Sequence, residues 1–308
     1  MLFTSIRRAA CLALWALLAA ACGADAADGP AGAKPATAST FTIGAIPDQD
    51  PEKLQRLHGA VATHLSEQLG VPVAYQPVTD YTAAVNLFRS GDLDMVWFGG
   101  LTGVQARLQV PGSRAILQRD VDEAFRSVFI VNTATGITPV DSVSGLRVLS
   151  GRRFTFGSES STSGRLMPQY FLDQAGVGPG DFAGQPGFSG SHDKTIALVE
   201  SGTFEAGALN EQVWKARTQA GQVDRGEVRV LFTTPPYHDY HWVIGPDAAQ
   251  RYGRNFVDRV IRAFSELDPS EPEDGQILDL FGAGRFVPTN EANYDQIEQI
   301  GRKLELIS

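Results

Sequence analysis

FTIGAIPDQDPEKLQRLHGAVATHLSEQLG, the stretch from residue 41 to residue 70, decides the fold class, because a β-like run leads directly into a helical one. Phe41-Thr-Ile-Gly-Ala-Ile46 is typical of a strand. Asp50-Pro51 predicts a helix start, since aspartate caps helix N-termini and proline suits the first helical position. Apolar side chains then recur every three or four residues until Gly70, which predicts a buried stripe of Leu54, Leu57, Val61, Leu65 and Leu69.

The same alternation continues through the chain and predicts an α/β fold. Strand-like runs cover residues 73–78 and 94–98, and helical runs cover residues 79–90 and 101–108. Phe125 to Val131 and His241 to Ile244 are strand-like runs with no helix directly beside them. A second α/β series lies between them, with an extended segment predicted at residues 182–188. Further helices are predicted over residues 168–175, 192–200, 211–220, 256–267, 275–280 and 294–304.

The first 21 residues are typical of a secretory signal peptide. Arg7 and Arg8 precede an uncharged apolar run, Cys11 to Ala21, that is too short to span a bilayer. Small residues before Cys22 resemble a bacterial lipobox, which predicts lipidation of Cys22 and a membrane anchor. The alternative is ordinary cleavage at a site such as Ala24 to Ala26. Residues 22–40 are rich in alanine, glycine, proline and threonine, and this composition predicts a flexible tether.

Cysteine content and charge limit the possible functions. The only two cysteines, Cys11 and Cys22, precede the predicted fold, so the exported body has no disulfide. The net charge of −9 disfavours nucleic-acid binding, which requires basic patches. The glycine patterns of phosphate loops and dinucleotide sites do not occur in the required strand and helix context. We therefore predict no cofactor.

The most informative run is Gly157-Ser-Glu-Ser-Ser-Thr-Ser-Gly164, which follows a predicted strand and precedes a helix. Backbone N–H groups at a helix start favour anions, and the hydroxyls add further donors. The alternative is a hydroxyl-rich helix cap. Pro168 lacks an N–H, so we expect the first turn of this helix to be distorted.

Aromatic residues beside glycines are candidates for a pocket wall. In Trp97-Phe98-Gly99-Gly100 the glycines permit close backbone approach to a ligand. The alternative for either aromatic ring is core packing at a strand end. Tyr81 begins a predicted helix, and its hydroxyl either enters a pocket or lies at the surface.

Two other clusters invite chemical interpretations that their spacing disfavours. His238, Asp239 and His241 lie in a proline-rich segment with no evident further ligand, so we predict no metal site. Ser191-His192-Asp193 holds the residue types of a hydrolase triad, but sequence neighbours cannot adopt that geometry. Ser191 is better explained as a helix cap.

Taken together, these runs resemble the phosphonate- and phosphite-type family of periplasmic binding proteins, which serve ABC importers. The resemblance covers residues 41–308 and rests on Asp80–Val85, Gly91–Gly99, Phe156–Gly164, Gly190–Asp193 and Glu205–Ala208. It implies a two-lobed type II fold, with lobe I at 41–130 plus 241–308 and lobe II at 131–240. The two strand-like runs noted above would be the crossovers between lobes, which close on ligand like a hinged clamp.

The resemblance also implies the ligand-binding residues and the partners. The run of Ser161, Thr162 and Ser163 would grip an oxyanion, and the other implied contacts are Tyr81, Phe98, Gly99, His192, Glu211 and Asp239. Partners would be a small tetrahedral oxyanion and the permease and ATPase subunits of an importer, with the receptor itself a monomer. The Pro47–Pro51, Asp80-Tyr81 and Trp97–Gly100 runs resemble a branch of the family associated with selenate. A carboxylate in the pocket would instead favour a protonated phosphorus oxyanion over selenate.

Two other functions remain open at the level of sequence. The same fold could serve an enzyme, although no acid–base or nucleophile constellation is evident. It could also serve as the sensor component of a signalling receptor.

Overall fold

The computed structural model describes residues 39–307 of the chain. The strands are β1 (Phe41–Ala45), β2 (Val73–Tyr75), β3 (Met95–Phe98), β4 (Arg114–Arg119), β5 (Ser127–Asn132), β6 (Phe154–Phe156), β7 (Gly187–Phe188), β8 (Ala206–Asn210), β9 (Val228–Thr233), β10 (His241–Ile244) and β11 (Phe286–Pro288). The helices are α1 (Pro51–Leu69), α2 (Tyr81–Ser90), α3 (Gly100–Gln109), α4 (Met167–Gln174), α5 (His192–Glu200), α6 (Glu211–Gln219), α7 (Ala248–Tyr252), α8 (Phe256–Ser265), α9 (Pro272–Phe281) and α10 (Asp295–Lys303).

The strands form two separate sheets. Their orders are β11-β4-β10-β3-β1-β2 and β7-β6-β8-β5-β9. In the first sheet β1 is parallel to β2 and β3, while β10 is antiparallel to β3 and β4. In the second, β6 is parallel to β7 and β8, while β5 is antiparallel to β8 and β9. The chain leaves the first sheet after β4 and returns after β9, so it forms two α/β lobes, the first of them discontinuous.

Two segments cross between the lobes: residues 120–126 form the first crossing segment and residues 234–240 the second. The two run side by side. Phe125 and Tyr237 form an antiparallel bridge, in which each backbone N–H donates to the other residue's carbonyl at 2.8 and 2.9 Å. The predicted crossover strands are therefore misplaced: β5 pairs along its length within the second lobe, and β10 lies in the first. The predicted lobe boundary after residue 130 cuts β5 and is wrong. The division between the sheets lies before Ser127.

Helix α1 begins and ends where the sequence predicts. The Asp50 carboxylate accepts the N–H groups of Glu52 and Lys53 at 3.0 and 3.1 Å, and Pro51 is the first helical residue. Gly70 ends the helix in the left-handed conformation, at φ 64°. No side chain of the predicted leucine and valine stripe is more than 5 % exposed. This packing fixes α1 on the first sheet and holds the preceding loop, residues 46–50, against the second lobe.

Some elements differ from the sequence prediction. β4 and β11 pair with each other across about 170 residues of chain, and neither was predicted. Only Gly187–Phe188 of the predicted extended segment at 182–188 joins a sheet. Helix α9 starts at Pro272, a favoured first helical residue, rather than at Gly275. Within residues 39–307, no helix combines the length and apolar character needed to cross a bilayer.

Candidate functional site

The hydroxyl run between β6 and α4 forms a widened helical turn at Thr162–Leu166. The Ser161 hydroxyl caps it by accepting the Gly164 N–H at 2.9 Å. The Leu166 N–H reaches back five residues to the Ser161 carbonyl, also at 2.9 Å, which is the π-type pattern. The predicted distortion of this turn is therefore present.

Pro168 explains why the wide turn persists. Because proline has no N–H, it leaves the carbonyls of Ser163 and Gly164 free for partners outside the helix. The Ser163 carbonyl accepts the Ser127 hydroxyl at 2.7 Å, and the Gly164 carbonyl accepts the Gly157 N–H at 2.8 Å. A Cβ on Gly164 would lie only 3.0 Å from the Cα of Gly157. Two glycines are thus needed to bring this turn against the loop that follows β6.

The start of α3 joins the two lobes at this turn. The Leu101 N–H donates to the Thr162 hydroxyl at 2.8 Å, and the Gly100 N–H donates to Oδ1 of Asp239 at 2.9 Å. A Cβ on Gly99 would lie 3.2 Å from the Thr162 hydroxyl and 3.3 Å from that carboxylate oxygen. Gly99 therefore allows three parts of the chain to meet: lobe I, lobe II and the second crossing segment.

Asp239 and Tyr81 contribute polar atoms that lack a partner. Asp239 is fully buried, and its Oδ2 accepts no hydrogen bond from the described residues. Burial raises the pKa of Asp239 to about 7, although the Gly100 N–H and the Thr162 hydroxyl oppose this shift. The Tyr81 hydroxyl is also buried, and it makes no well-formed hydrogen bond although the Ser161 hydroxyl is near. Among the buried polar atoms of the described residues that lack a partner, these two lie beside the 161–163 hydroxyl run, where a bound ligand would satisfy both.

A second group of side chains forms a hydrogen-bonded network beside these atoms. The Tyr240 hydroxyl donates to Oδ2 of Asp48 at 2.8 Å, and it lies 3.2 Å from both the Asn210 amide nitrogen and Nε2 of His192. The Asn210 backbone N–H points to Nδ1 of His192 at 3.4 Å, which assigns the ring hydrogen to Nε2. Every hydrogen bond in the network then has one donor and one acceptor.

Burial controls the charges of this network. It lowers the pKa of His192 to about 3, so the ring is neutral at neutral pH. It raises the pKa of Asp48 to about 6, although the hydrogen bond from Tyr240 opposes the shift. Burial, followed by the charge of Asp48, raises the pKa of Tyr81 well above its ordinary value, and Asp239 contributes to the same shift. Asp48, Tyr81 and Asp239 are therefore close enough to act on one another electrostatically.

The structure brings most of the sequence-predicted site residues together, but not all of them. Glu211 forms an ion pair with Lys215 at 3.0 Å along α6, and no hydrogen bond among the described residues joins its side chain to the site, so the structure lends no support to its predicted place against the anion. Its neighbour Asn210 belongs to the buried network instead. The Phe98 ring packs edge-to-face against Phe88 in the core of the first lobe, with ring centroids 5.8 Å apart. It makes a core contact, not a polar one.

Sequence reasoning missed Asp48, Asn210 and Tyr240. Asp48 follows β1, Asn210 ends β8 and Tyr240 precedes β10, positions where a polar residue is ordinarily assigned to a loop or a cap. Asn210 also caps α6, which hides its second role, because its side-chain oxygen accepts the Gln212 N–H at 2.6 Å. The available signal for Asp48 was the Pro47–Pro51 run, which the family resemblance includes. Residues 39–307 contain no cluster of three potential metal ligands.

Comparison with known proteins gives one family and several relatives. A family model described as the periplasmic substrate-binding protein of phosphonate ABC transporters matches residues 43–294. The chain is 50% identical over 266 residues to the probable ABC transporter phosphite-binding protein PhnD1 of Prochlorococcus marinus, covering 86% of this chain and 90% of that protein. It is 25% identical to the phosphate-import protein PhnD of Mycolicibacterium smegmatis, covering 95% and 93% of the two chains.

Solved structures agree with this similarity. PhnD1 of Prochlorococcus marinus in complex with methylphosphonate superposes with a TM-score of 0.86 and 49% identity, covering 87% of this chain and 99% of that one. A binding component of a phosphonate ABC transporter from Pseudomonas aeruginosa has a TM-score of 0.71 at 18% identity, covering 85% of each chain, and this shows the fold alone. The two-lobed α/β fold predicted from the sequence is confirmed.

Proposed function

The chain belongs to the family of periplasmic substrate-binding proteins of phosphonate ABC transporters, and from that premise we propose that it captures a small, singly protonated phosphorus oxyanion such as phosphite or methylphosphonate. Binding takes place between the lobes, among Tyr81, the 161–163 hydroxyl run and Asp239. The relative PhnD1 is named for phosphite, and its solved complex holds methylphosphonate.

The observation that carries this proposal is the pair of buried, unpartnered atoms, Oδ2 of Asp239 and the Tyr81 hydroxyl. The hydroxyl is a donor for an anionic oxygen, whereas the carboxylate is an acceptor. A ligand that satisfies both needs one oxygen that accepts and one that carries hydrogen. Phosphorus oxyanions bind and release their last proton close to neutral pH, so a carboxylate beside them can be the acceptor for that proton. Selenate and sulfate are fully ionised there and would be repelled by the carboxylate, which argues against the selenate branch.

The residues of the site take complementary roles in this proposal. Ser161, Thr162 and Ser163 present a turn of hydroxyl and N–H donors at the start of a helix, where anions are favoured. Gly99 leaves room for Thr162 and Asp239 to reach the start of α3. His192, held with Asp48, Asn210 and Tyr240, adds a hydrogen-bonded wall, and its own ring stays uncharged at neutral pH.

We further propose that the protein binds its ligand without converting it and delivers it, as a monomer, to the permease and ATPase subunits of an importer. Its relatives are transporter binding proteins. Phosphorus NMR of the ligand after prolonged incubation with the protein tests this directly, because any new resonance would reveal an enzyme. We also propose that Cys22 carries a lipid anchor. Cys22 and the predicted tether lie outside the described residues.

Substitution of Asp239 by asparagine tests the assignment of the ligand. The Asp239→Asn variant keeps the shape of the site but replaces an acceptor oxygen with a donor. We expect affinity for phosphite and methylphosphonate to fall about tenfold or more, because a hydrogen bond to a charged group is lost. Affinity for sulfate or selenate should rise relative to them. Calorimetric titration of the five anions, phosphate included, measures both effects.

Glu211→Gln is the matched control, since Glu211 is an acid of similar type that pairs with Lys215 along α6. Its affinities should stay within about twofold of wild type, as expected for a partly exposed ion pair. Tight binding of selenate by the wild type, unchanged by Asp239→Asn, would overturn the proposal. So would equal losses of phosphite affinity in the two variants.

A further inference from the structure

A contact between the lobes lies beside the proposed site and involves Asp193, in the first turn of α5. Oδ2 of Asp193 in lobe II accepts the backbone N–H of Asp50 in lobe I at 2.7 Å. The preceding residue, His192, donates its backbone N–H to the Asp48 carbonyl at 3.0 Å. Asp50 is the N-cap of α1, so the Asp193 carboxylate sits at the positive end of a helix in the opposite lobe.

Arg217 on α6 holds the Asp193 carboxylate in this position. Its Nε donates to Oδ1 of Asp193, which leaves Oδ2 directed at Asp50. The side chains are only 14% and 31% exposed for Asp193 and Arg217 respectively. Lys53 is near enough for Asp193 to raise its pKa, in opposition to the effect of burial. Asp193 is therefore a fixed, charge-compensated acceptor, unlike a mobile surface acid.

We propose that Asp193, oriented by Arg217, is a latch that holds the lobes closed and sets the rate at which bound ligand leaves. This inference rests on the proposed function, since it assumes that a ligand is enclosed between the lobes. Asp193 is a positioning residue. Its hydrogen bonds go to Asp50 and Arg217, and it acts by keeping loop 46–50, with Asp48, against the second lobe.

The physical argument predicts which rate changes. The Asp50–Asp193 bond joins two lobes that must separate for ligand to escape, so opening breaks it. Arg217, in contrast, lies in the same lobe as Asp193 and stays paired with it in both states. A bond formed after the ligand is in place slows dissociation and leaves association unchanged. It also favours every enclosed ligand alike, because it does not contact the anion.

The test is stopped-flow binding of methylphosphonate to wild type and to Asp193→Ala, followed by the fluorescence of Trp97. This tryptophan stacks on Tyr240 at a centroid distance of 5.8 Å, which places it next to the network. We expect the dissociation rate constant to rise about tenfold and the association rate constant to stay within about twofold. The affinity order of phosphite, methylphosphonate and phosphate should be unchanged. Arg217→Gln should shift the dissociation rate in the same direction by less.

Glu211→Gln serves as the control because Glu211 is also a first-turn acid paired with a cation, but without a contact to the other lobe. Asp193→Asn keeps an acceptor oxygen and should give a dissociation rate between those of wild type and Asp193→Ala. It keeps the test decisive if the alanine variant misfolds. Wild-type dissociation in Asp193→Ala would overturn the latch, as would an equal acceleration in Glu211→Gln. Failure of the wild type itself to bind any of the three anions would instead reject the proposed function.

Discussion

At the scale of single residues, the two buried carboxylates govern the behaviour of the site. Asp48 and Asp239 are at most 4% exposed, and burial raises the pKa of both. Asp48 is partly compensated by the hydrogen bond from Tyr240. Asp239 keeps one oxygen without a partner, which costs free energy in the ligand-free protein. A group that destabilises the fold in this way is expected at a functional site.

The shifted pKa of Asp239 predicts how stability depends on pH. The folded state raises this pKa from 3.8 to about 7, so it binds the proton more tightly than the unfolded chain does. The contribution of Asp239 to stability is therefore complete below the unfolded pKa and is lost as pH rises through the folded pKa. We expect the contribution of Asp239 to the free energy of unfolding, taken as the difference between wild type and Asp239→Asn in urea without ligand, to be smaller at about pH 8 than at about pH 5.

Asp239→Asn should reduce that pH dependence, because the amide does not titrate. The remaining slope should come from other buried groups: the raised pKa of Asp48, about 6, acts in the same direction, whereas the lowered pKa values of His58 and His192, about 3, act in the opposite one. Glu211→Gln should keep the wild-type slope. Identical slopes in wild type and Asp239→Asn would show that the Asp239 carboxyl does not titrate in this range.

At the scale of elements, the widened turn before α4 is the part of the fold shaped most directly for binding. Its distortion has a local cause, Pro168, and a tertiary consequence, because the freed carbonyls of Ser163 and Gly164 bind Ser127 and Gly157. The hydrogen bond to Ser127 fastens the turn to β5, the first strand after the crossing. The turn is thereby held to the sheet on one side and to the start of α3 on the other.

Alanine substitutions at two glycines should separate this packing from ordinary helix propensity. A Cβ on Gly164 would lie 3.0 Å from both the Gly157 Cα and the Ser161 hydroxyl oxygen. Because the Gly157 backbone would have to move to make room for the methyl group, Gly164→Ala should lower the free energy of unfolding by about 1–3 kcal/mol. A Cβ on Gly59, within α1, would meet nothing within 4 Å. Gly59→Ala should raise the same quantity by about 0.5–1 kcal/mol.

Denaturant unfolding of both variants measures whether the free energy of unfolding falls in Gly164→Ala and rises in Gly59→Ala. Ligand affinity should fall in Gly164→Ala, where the turn is displaced, and stay unchanged in Gly59→Ala. A Gly164→Ala protein as stable as wild type would mean that the turn adjusts without cost, and the role given to the glycine pair would then be wrong.

At the scale of the whole molecule, the site lies where the two lobes and the second crossing segment converge. Tyr81 and Gly99 come from the first lobe, Thr162 and His192 from the second, and Asp239 from the crossing segment. The antiparallel bridge between Phe125 and Tyr237 ties the crossings together close to that point. Relative motion of the lobes about the crossings would therefore open and close the ligand site without unfolding either sheet.

The proposed lipid anchor is also a property of the whole molecule. If Cys22 is lipidated, Cys22→Ser should move the protein from the membrane to the soluble fraction of fractionated cells. No helix among residues 39–307 is suited to span the bilayer and retain it there. Immunoblotting of the two fractions, with ligand affinity as evidence of correct folding, makes the measurement. Retention of a correctly folded Cys22→Ser protein in the membrane fraction would reject the anchor.

Sequence alone determined the local features of this protein: the α/β alternation, the bounds of most helices, the hydroxyl run and the distorted turn. These follow from interactions between residues a few positions apart, such as the capping of α1 by Asp50 and the missing N–H of Pro168. The family resemblance added the lobes and the ligand class. Tyr81 and Asp239 were among its implied contacts.

Only the tertiary structure decided which polar groups meet. Asp48 and Tyr240 are 192 residues apart and share a 2.8 Å hydrogen bond that no local pattern encodes. Asn210 and Glu211 are adjacent, yet one enters the buried network while the other pairs with Lys215. Asn210 ends β8 and caps α6, whereas Glu211 is the first residue of the helix, so an error of one residue exchanges a member of the network for its ion-paired neighbour. Which of the two enters the network depends on how α6 packs, and packing is set by the whole chain.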